Sequence, residues 1–267
     1  MHNPTPITAS HATAPWRWAA TGAFAGAVLA LGLFAPAHWL AALVLQASGG
    51  HVVLSAPRGT FWQGSAQLVL SGGAGSLDAV ALPGQVSWRI RPAWTGLNAL
   101  LNAECCMQQA WQLQAKPAGW GGMQLALSDS QSQWPAALLS GLGTPWNTVQ
   151  AHGQLAASTH GFNLRWTQGR LALSGRLQLD ALQISSRLST LKPMGSSRLT
   201  LLGGSPSALE LSTLEGSLQL TGQGQWVEQR LRFNGAASAT PESVDALSNL
   251  LNIIGRRNGA TAVIKVG

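Results

Sequence analysis

The sequence predicts a mainly β protein, with an N-terminal transmembrane helix followed by a large, strongly curved antiparallel β-sheet domain carrying two or three short helices. Three observations predict it. Past residue 50, apolar and polar residues alternate with period two between glycines, the pattern of half-buried antiparallel strands joined by short turns. A single uncharged stretch lies between Arg17 and Arg58. Two proline-led apolar stretches later in the chain have helical spacing instead.

Composition agrees with that class. Only 9% of residues are charged, against roughly 25% in an average soluble domain. With 31 glycines, and 12 tryptophans but no tyrosine, the chain gains little solubility from charge, which favours a β-rich body near a membrane or inside an assembly. The formal charge of +7 rests on 16 basic residues, dispersed mostly one per predicted strand. A focused basic stripe is missing, so nucleic acid is not an expected partner. The excess suits anionic lipid headgroups or acidic partners.

From the N-terminus, residues 1–17 form a tail with Arg17 as a weak positive-inside signal. Residues 18–34, WAATGAFAGAVLALGLF, are at the short end of what an α-helix needs to cross hydrocarbon. Trp16 and Trp18 supply an interfacial anchor. The tail is therefore expected in the cytoplasm and everything after Phe34 outside. The rival reading is a cleaved signal peptide, since APA at 35–37 looks like a cleavage site. Against it, residues 35–50 continue as a second apolar helix, with Pro36 in its first turn and Gly49–Gly50 at its end. That helix is expected on the outer leaflet or packed on the domain.

Residues 51–267 contain no composition break or linker and read as one domain. In LPGQVSWRIRP, Val86, Trp88 and Ile90 share one face and Gln85, Ser87, Arg89 and Arg91 the other, with Pro92 closing the strand. The same alternation recurs to the C-terminus, with leucine at positions where β-branched residues are the better strand formers. WPAALLSGLG, led by Pro135, predicts about two helical turns. TPESVDALSNLLNIIG predicts a longer helix, with Thr240 as N-cap, Val244, Leu247, Leu250, Leu251 and Ile254 as its apolar stripe, and Gly255 as C-cap. Arg256 and Arg257 then fall at the negative end of the helix dipole, and TAVIKVG closes the chain as a strand.

Chemistry is sparse. Cys105 and Cys106 are adjacent, and metal sites space their ligands more widely. A disulfide between neighbours would strain the backbone, so the pair reads as buried or idle thiols, with a redox or intermolecular role as the alternative. His152 and His160, eight residues apart in sequence, could meet only across a hairpin, with no acid nearby. No paired carboxylates, GxSxG elbow, Walker loop or GxGxxG before a helix occurs. GQGQWV at 222–227 opens a strand, where phosphate binding needs a helix N-terminus. No catalytic, cofactor or metal site is predicted.

Turn motifs remain. In RGTFWQG, Arg58–Gly59–Thr60 fits a turn, Trp62 offers a large anchor for the core or the preceding helix, and Gly64 lets the chain bend before Ala66, Leu68 and Leu70 alternate. This segment with LPGQVSWRI, then LLSGLGTPWNTVQAHGQL, then LEGSLQLTGQGQW through to the C-terminus resemble three ordered blocks of the type II secretion system protein N family. The resemblance runs from about residue 20 to 267. It implies an accessory single-pass inner-membrane component of the machine that exports folded proteins from the periplasm across the outer membrane. Its periplasmic domain would be residues 51–267, and its partners other secretion components and inner-membrane lipids. No catalytic site carries over, and no cofactor or small-molecule substrate is expected. The candidate structural or interaction residues are Gly59, Thr60, Trp62 and Gly64, then Gly143, Thr144, Pro145, Trp146 and Asn147, then Gly255, Arg256 and Arg257. A second reading makes the curved sheet a leucine- and tryptophan-lined groove that binds lipids or other hydrophobes.

Overall fold

The computed structural model describes residues 16–119, 121–227 and 230–267. Most of the predicted tail, and Glu228, lie outside the described residues. The chain divides into two compact units, residues 1–35 and 36–267.

In the first unit, α1 spans Trp16–Leu33. It begins before the predicted segment and so takes in Arg17. Its 18 residues rise about 27 Å, and among the described residues no helix is long and apolar enough to cross a membrane. Its side chains are exposed wherever they are described.

The second unit begins with α2 (Ala37–Ala47), followed by β1 (Val52–Gly59), β2 (Gln63–Ser71), β3 (Ala79–Ala81), β4 (Val86–Ala93), β5 (Gly96–Ala103), β6 (Trp111–Pro117), β7 (Met123–Leu127) and β8 (Ser130–Pro135). A 3-10 helix, Ala136–Leu142, and the short α3 (Trp146–Val149) interrupt the strands. Then come β9 (His152–Thr167), β10 (Arg170–Ser185), β11 (Gly195–Gly204), β12 (Ala208–Gly216), β13 (Leu218–Val227) and β14 (Arg230–Ala239). A 3-10 turn leads into α4 (Val244–Ile254), and β15 (Arg256–Asn258) and β16 (Thr261–Val266) end the chain.

All sixteen strands belong to one open antiparallel sheet, ordered β1-β2-β4-β5-β6-β7-β9-β10-β11-β12-β13-β14-β16-β15, with β3 on β2 and β8 on β9. Because neighbours run antiparallel, the turns alternate between two ends of the sheet. Pro36 is bridged to Thr60, so the chain joins the body at the end that carries the β1–β2, β4–β5, β6–β7, β9–β10 and β11–β12 turns. At the opposite end stand the 3-10 helix, α3 and α4.

Register explains the leucines. Leu113 pairs with Leu127, Leu125 with Leu164, Leu164 with Leu173, Leu199 with Leu211 and Leu201 with Leu209, so one face is apolar across neighbouring strands. The alternate positions pair Gln124 with Arg165, Asn163 with Ser174 and Thr200 with Glu210, which makes the other face polar. Flanking leucines bury one another here, so cross-strand packing overrides intrinsic propensity.

The helices cover the apolar face at their end. Leu247, Leu250 and Leu251 of α4 are fully buried against Leu155, Met194, Ala237 and Ala262, each burial contributing roughly 1.5–3 kcal/mol. The 3-10 helix places Ala136 in this core and Leu138 in a second one with Leu82, Val86 and Ala103. A third joins Ala37 of α2 to Ala66 and Trp88. The second apolar helix thus packs on the domain along one side, while its Trp39 and Leu43 stay exposed.

Several expectations need correction. Cys105 and Cys106 form a disulfide rather than a thiol pair, in the turn after β5, where Cys106 is buried against the second core. Pro92 does not close β4, since it pairs with Leu97 and the strand runs on to Ala93. Ile90 donates its N–H to the Trp62 carbonyl at 2.6 Å. Pro92, two residues on, faces the same way but past the start of β2, so its missing N–H leaves no ladder partner unsatisfied. Thr240 makes no side-chain cap bond, and Ser243 is the residue before α4. Gly255 does stand at the C-cap of α4, as predicted, with an extended backbone (φ −166°). A Cβ there would sit 2.5 Å from the Val263 carbonyl oxygen, so glycine is needed for close approach as α4 turns directly into β15.

The polar face holds one strong ion pair. Arg198 donates from Nε to Asp180 Oδ1 at 2.8 Å and from Nη2 to Oδ2 at 2.9 Å, across the β10–β11 register. These hydrogen bonds, opposed by partial burial and reinforced by the arginine charge and Gln178, hold the Asp180 carboxyl below the usual carboxylate range. A depressed folded pKa contributes stability above the unfolded value of about 3.9, and that stability is lost as pH falls through the folded value. Arg198 is over a third exposed, so solvent screening limits the effect. Arg198→Gln is expected to cost about 1 kcal/mol at pH 7, and less as pH falls below the unfolded carboxylate value of about 3.9, read from urea unfolding over a pH series.

Candidate interaction surfaces

The first motif is a turn held from several sides. Thr60 N–H donates to the Gln63 carbonyl at 2.8 Å, and Gln63 N–H donates to Thr60 Oγ1 at 3.1 Å. Gly59 has φ +89°, the left-handed region that glycine enters without steric penalty. The turn proper is Thr60–Gln63, one residue or two later than predicted. Gly64 lies under the Trp88 indole, since a Cβ there would be 2.6 Å from Trp88 Cζ2. Trp88 is 4% exposed and donates Nε1–H to the Phe61 carbonyl at 3.0 Å. The buried anchor is therefore Trp88, whereas Trp62 is half-buried and meets Phe61 edge-on. On the polar face beside this turn, Arg58 and Arg89 line a depression of about 590 Å³ with Gln63, Ser87 and Asn102.

The second motif lies at the helix-covered end. Gly143 ends the 3-10 helix with φ +78° and passes the Gly72 backbone at close range. Thr144 and Pro145 are exposed and lead into α3. Asn147 Nδ2 donates to Asp78 Oδ2 at 2.9 Å, which ties α3 to the loop between β2 and β3, and Trp146 is 40% exposed.

The third motif edges the sheet. Arg256 and Arg257 are exposed in β15, beyond the helix terminus. Arg257 nonetheless folds back over α4, donating to Gly259 O at 2.8 Å, to Asn252 Oδ1 at 3.3 Å and to Ser248 O at 3.5 Å. It braces the helix from the strand. The three motifs are not brought together into one site.

Sequence reasoning missed a glycine seat. On β13 and β14, Phe233 is 8% exposed, and Cβ atoms at Gly222, Gly224 and Gly235 would lie 2.4, 2.9 and 2.8 Å from the nearest neighbouring atom, a Phe233 ring atom for the first two and the Thr221 carbonyl for the third. The ring lies flat over glycines, which explains GQGQWV without a phosphate. The available signal was a phenylalanine placed by register beside Gly224, one strand over.

His152 and His160 both lie on β9, so no hairpin brings them together. His160 does have an acid near it, Asp129 at 3.7 Å, and both side chains are exposed. Among the described residues no three His, Cys, Asp or Glu side chains group closely enough to hold a metal ion.

What distinguishes this one-sheet antiparallel β protein is its surfaces: two edges, turn motifs, and an apolar face that the helices cover only in part. The chain belongs to the type II secretion system protein N family, whose model matches residues 50–264, from the loop before β1 into β16. The match starts later than the resemblance first suggested and leaves α1 and α2 outside it. No curated protein and no solved structure matches the chain.

Proposed function

We propose that this protein is an accessory inner-membrane component of the type II secretion system, acting through structural and interaction roles rather than catalysis. The observation that carries this reading is the family match over residues 50–264, which takes in all of the sheet but the end of β16. Residues 18–34 hold the chain at the membrane, with the tail 1–17 in the cytoplasm, the helix of residues 35–50 beside the membrane and the β body in the periplasm. The all-round exposure of α1 supports this placement, since its apolar surface needs lipid or another helix to cover it. Partners are other secretion components of the inner-membrane platform or the periplasm. The edges β1 and β15 offer unpaired backbone for strand addition. Crosslinking in native membranes followed by copurification tests the reading: recovery of secretion components is expected, and recovery of none, with secretion unchanged when the protein is deleted, would overturn it.

A second reading, hydrophobe binding, is favoured by one observation. Leu113, Leu125, Leu164, Leu201 and Leu209 share the apolar face, yet none belongs to the three cores. The opposite face is polar and the helix end of the apolar face is filled, which argues against a trough along the whole sheet. Lipid mass spectrometry of the detergent-purified protein decides it: a stoichiometric lipid lost on Leu164→Asn supports binding, and none argues against it.

A further inference from the structure

The charges of the sheet are sorted along its strands. Arg58, Arg91, Lys116, Arg165, Arg170 and Arg230 each stand at, or within three residues of, a turn on the end where Pro36 joins the body. They come from strands spread across the sheet, and the antiparallel order brings them to one end. The acids Asp78, Glu104, Glu215, Glu242 and Asp245 lie at the opposite, helix-covered end, together with Arg187, Lys192, Arg256 and Arg257, so that charges nearly balance there while the entry end is left with an excess of positive charge. Among the described acids only Glu210 lies within three residues of an entry-end turn. The described residues form two ion pairs, His160 with Asp129 and Arg198 with Asp180, so among the described residues none of those six cations is in an ion pair.

Large apolar side chains are exposed at this end, although Leu77 and Trp146 are exposed at the other. Trp94 is fully exposed at the tip of the two-residue β4–β5 turn, between the paired Ala93 and Gly96. Trp39 is exposed three residues after Pro36. Met123, Trp166 and Leu171 are cross-strand neighbours at the ends of β7, β9 and β10, and all three are exposed. Tryptophan interleaved with arginine and lysine suits a membrane–water interface, where the indole sits among headgroups and the cations meet anionic lipid.

We infer that this end of the sheet is a docking rim for an anionic phospholipid surface. The inference rests on the reading that residues 18–34 hold the chain at the inner membrane. Chain continuity and charge complementarity name the occupant: Pro36, two residues beyond Phe34, is bridged into this same rim, and the excess of positive charge lies at that end. The rim shares the attachment with α1. It also orients the body, with the nearly charge-balanced, helix-covered end away from the membrane and free for protein partners.

The test uses the full chain in lipid nanodiscs, with a nitroxide on Trp94→Cys or on Leu77→Cys, the latter fully exposed at the opposite end. Oxygen and nickel-chelate accessibility report immersion. In discs containing phosphatidylglycerol the label at 94 is expected at interfacial depth and that at 77 in water. In phosphatidylcholine discs, or in the Arg91→Gln/Lys116→Gln/Arg170→Gln variant, the label at 94 is expected to move into water. An aqueous label at 94 in a chain that resists carbonate extraction overturns the rim and leaves the anchor intact. Interfacial depth at 94 in a chain that carbonate removes supports the rim and overturns the anchor. Shielding that is indifferent to lipid charge and to the three substitutions overturns the choice of an anionic surface.

Discussion

Trp88→Ala is expected to destabilise the β body by about 3–5 kcal/mol, the range for removing a fully buried aromatic side chain. The indole joins Ala66 of β2 to Ala37 of α2 in the third core and rests on the bare backbone of Gly64. Truncation leaves a cavity between α2 and the sheet, and it strips the Phe61 carbonyl of its Nε1–H donor in a part-buried turn. Because the same turn is bridged to Pro36, α2 should loosen together with the first hairpin. Trp62→Ala, which removes a half-buried ring packed edge-on to Phe61, should cost about 1 kcal/mol. Urea unfolding of both variants, with limited proteolysis at the α2–β1 loop, checks the ranking. Equal losses would mean that Trp62, not Trp88, anchors the entry of the chain.

That contrast shows what the sequence could tell and what it could not. Alternation placed Trp88 on the buried face together with Val86 and Ile90, as found, but could not say which tryptophan would find a helix above it. The answer depends on β4 pairing with β2 beneath α2, a long-range event with no local signature. Helices were legible where an apolar stripe coincided with a proline start, as in α4. Gly255 was legible as the C-cap, but its close approach to Val263 was not, since that depends on a strand that follows it. The adjacent cysteines were misread because the intrinsic geometry of neighbours was weighed without the turn that presents them.

The cations teach the same lesson. One arginine per strand looks dispersed along the sequence, and dispersion was taken to exclude a focused patch. In an antiparallel sheet, however, residues near alternate turns converge on one end, so Arg91, Lys116, Arg165 and Arg170, from four strands of the sheet, all lie toward that end. Marking each cation by its distance from the nearest predicted turn would have shown the asymmetry before any coordinates existed. The leucines were legible as strand positions, but how far the helices would cover them was not, since helix length and sheet width are set by different parts of the chain.

Gly222→Val is expected to cost about 3–5 kcal/mol, although valine is a good strand former on propensity alone. A Cβ at this position would lie 2.4 Å from Phe233 Cζ, closer than any real contact, so the ring must leave its seat over Gly224 and Gly235 or the strands must part. Overpacking of this kind costs about 1–3 kcal/mol, and loss of the ring's burial adds about 2 kcal/mol. A propensity argument predicts the opposite sign. Phe233→Ala on its own should cost about 3–5 kcal/mol by cavity formation. The decisive measurement is the double variant, Gly222→Val with Phe233→Ala, in which the new isopropyl group occupies space the ring has vacated. If the seat is what the glycines are for, the double variant is more stable than the sum of the single losses predicts, by about 1–3 kcal/mol of favourable coupling. Strict additivity in urea unfolding would mean that the glycines serve the backbone and not the ring, and the explanation of the Gly-x-Gly spacing in β13 would have to be sought in the approach of β12 instead.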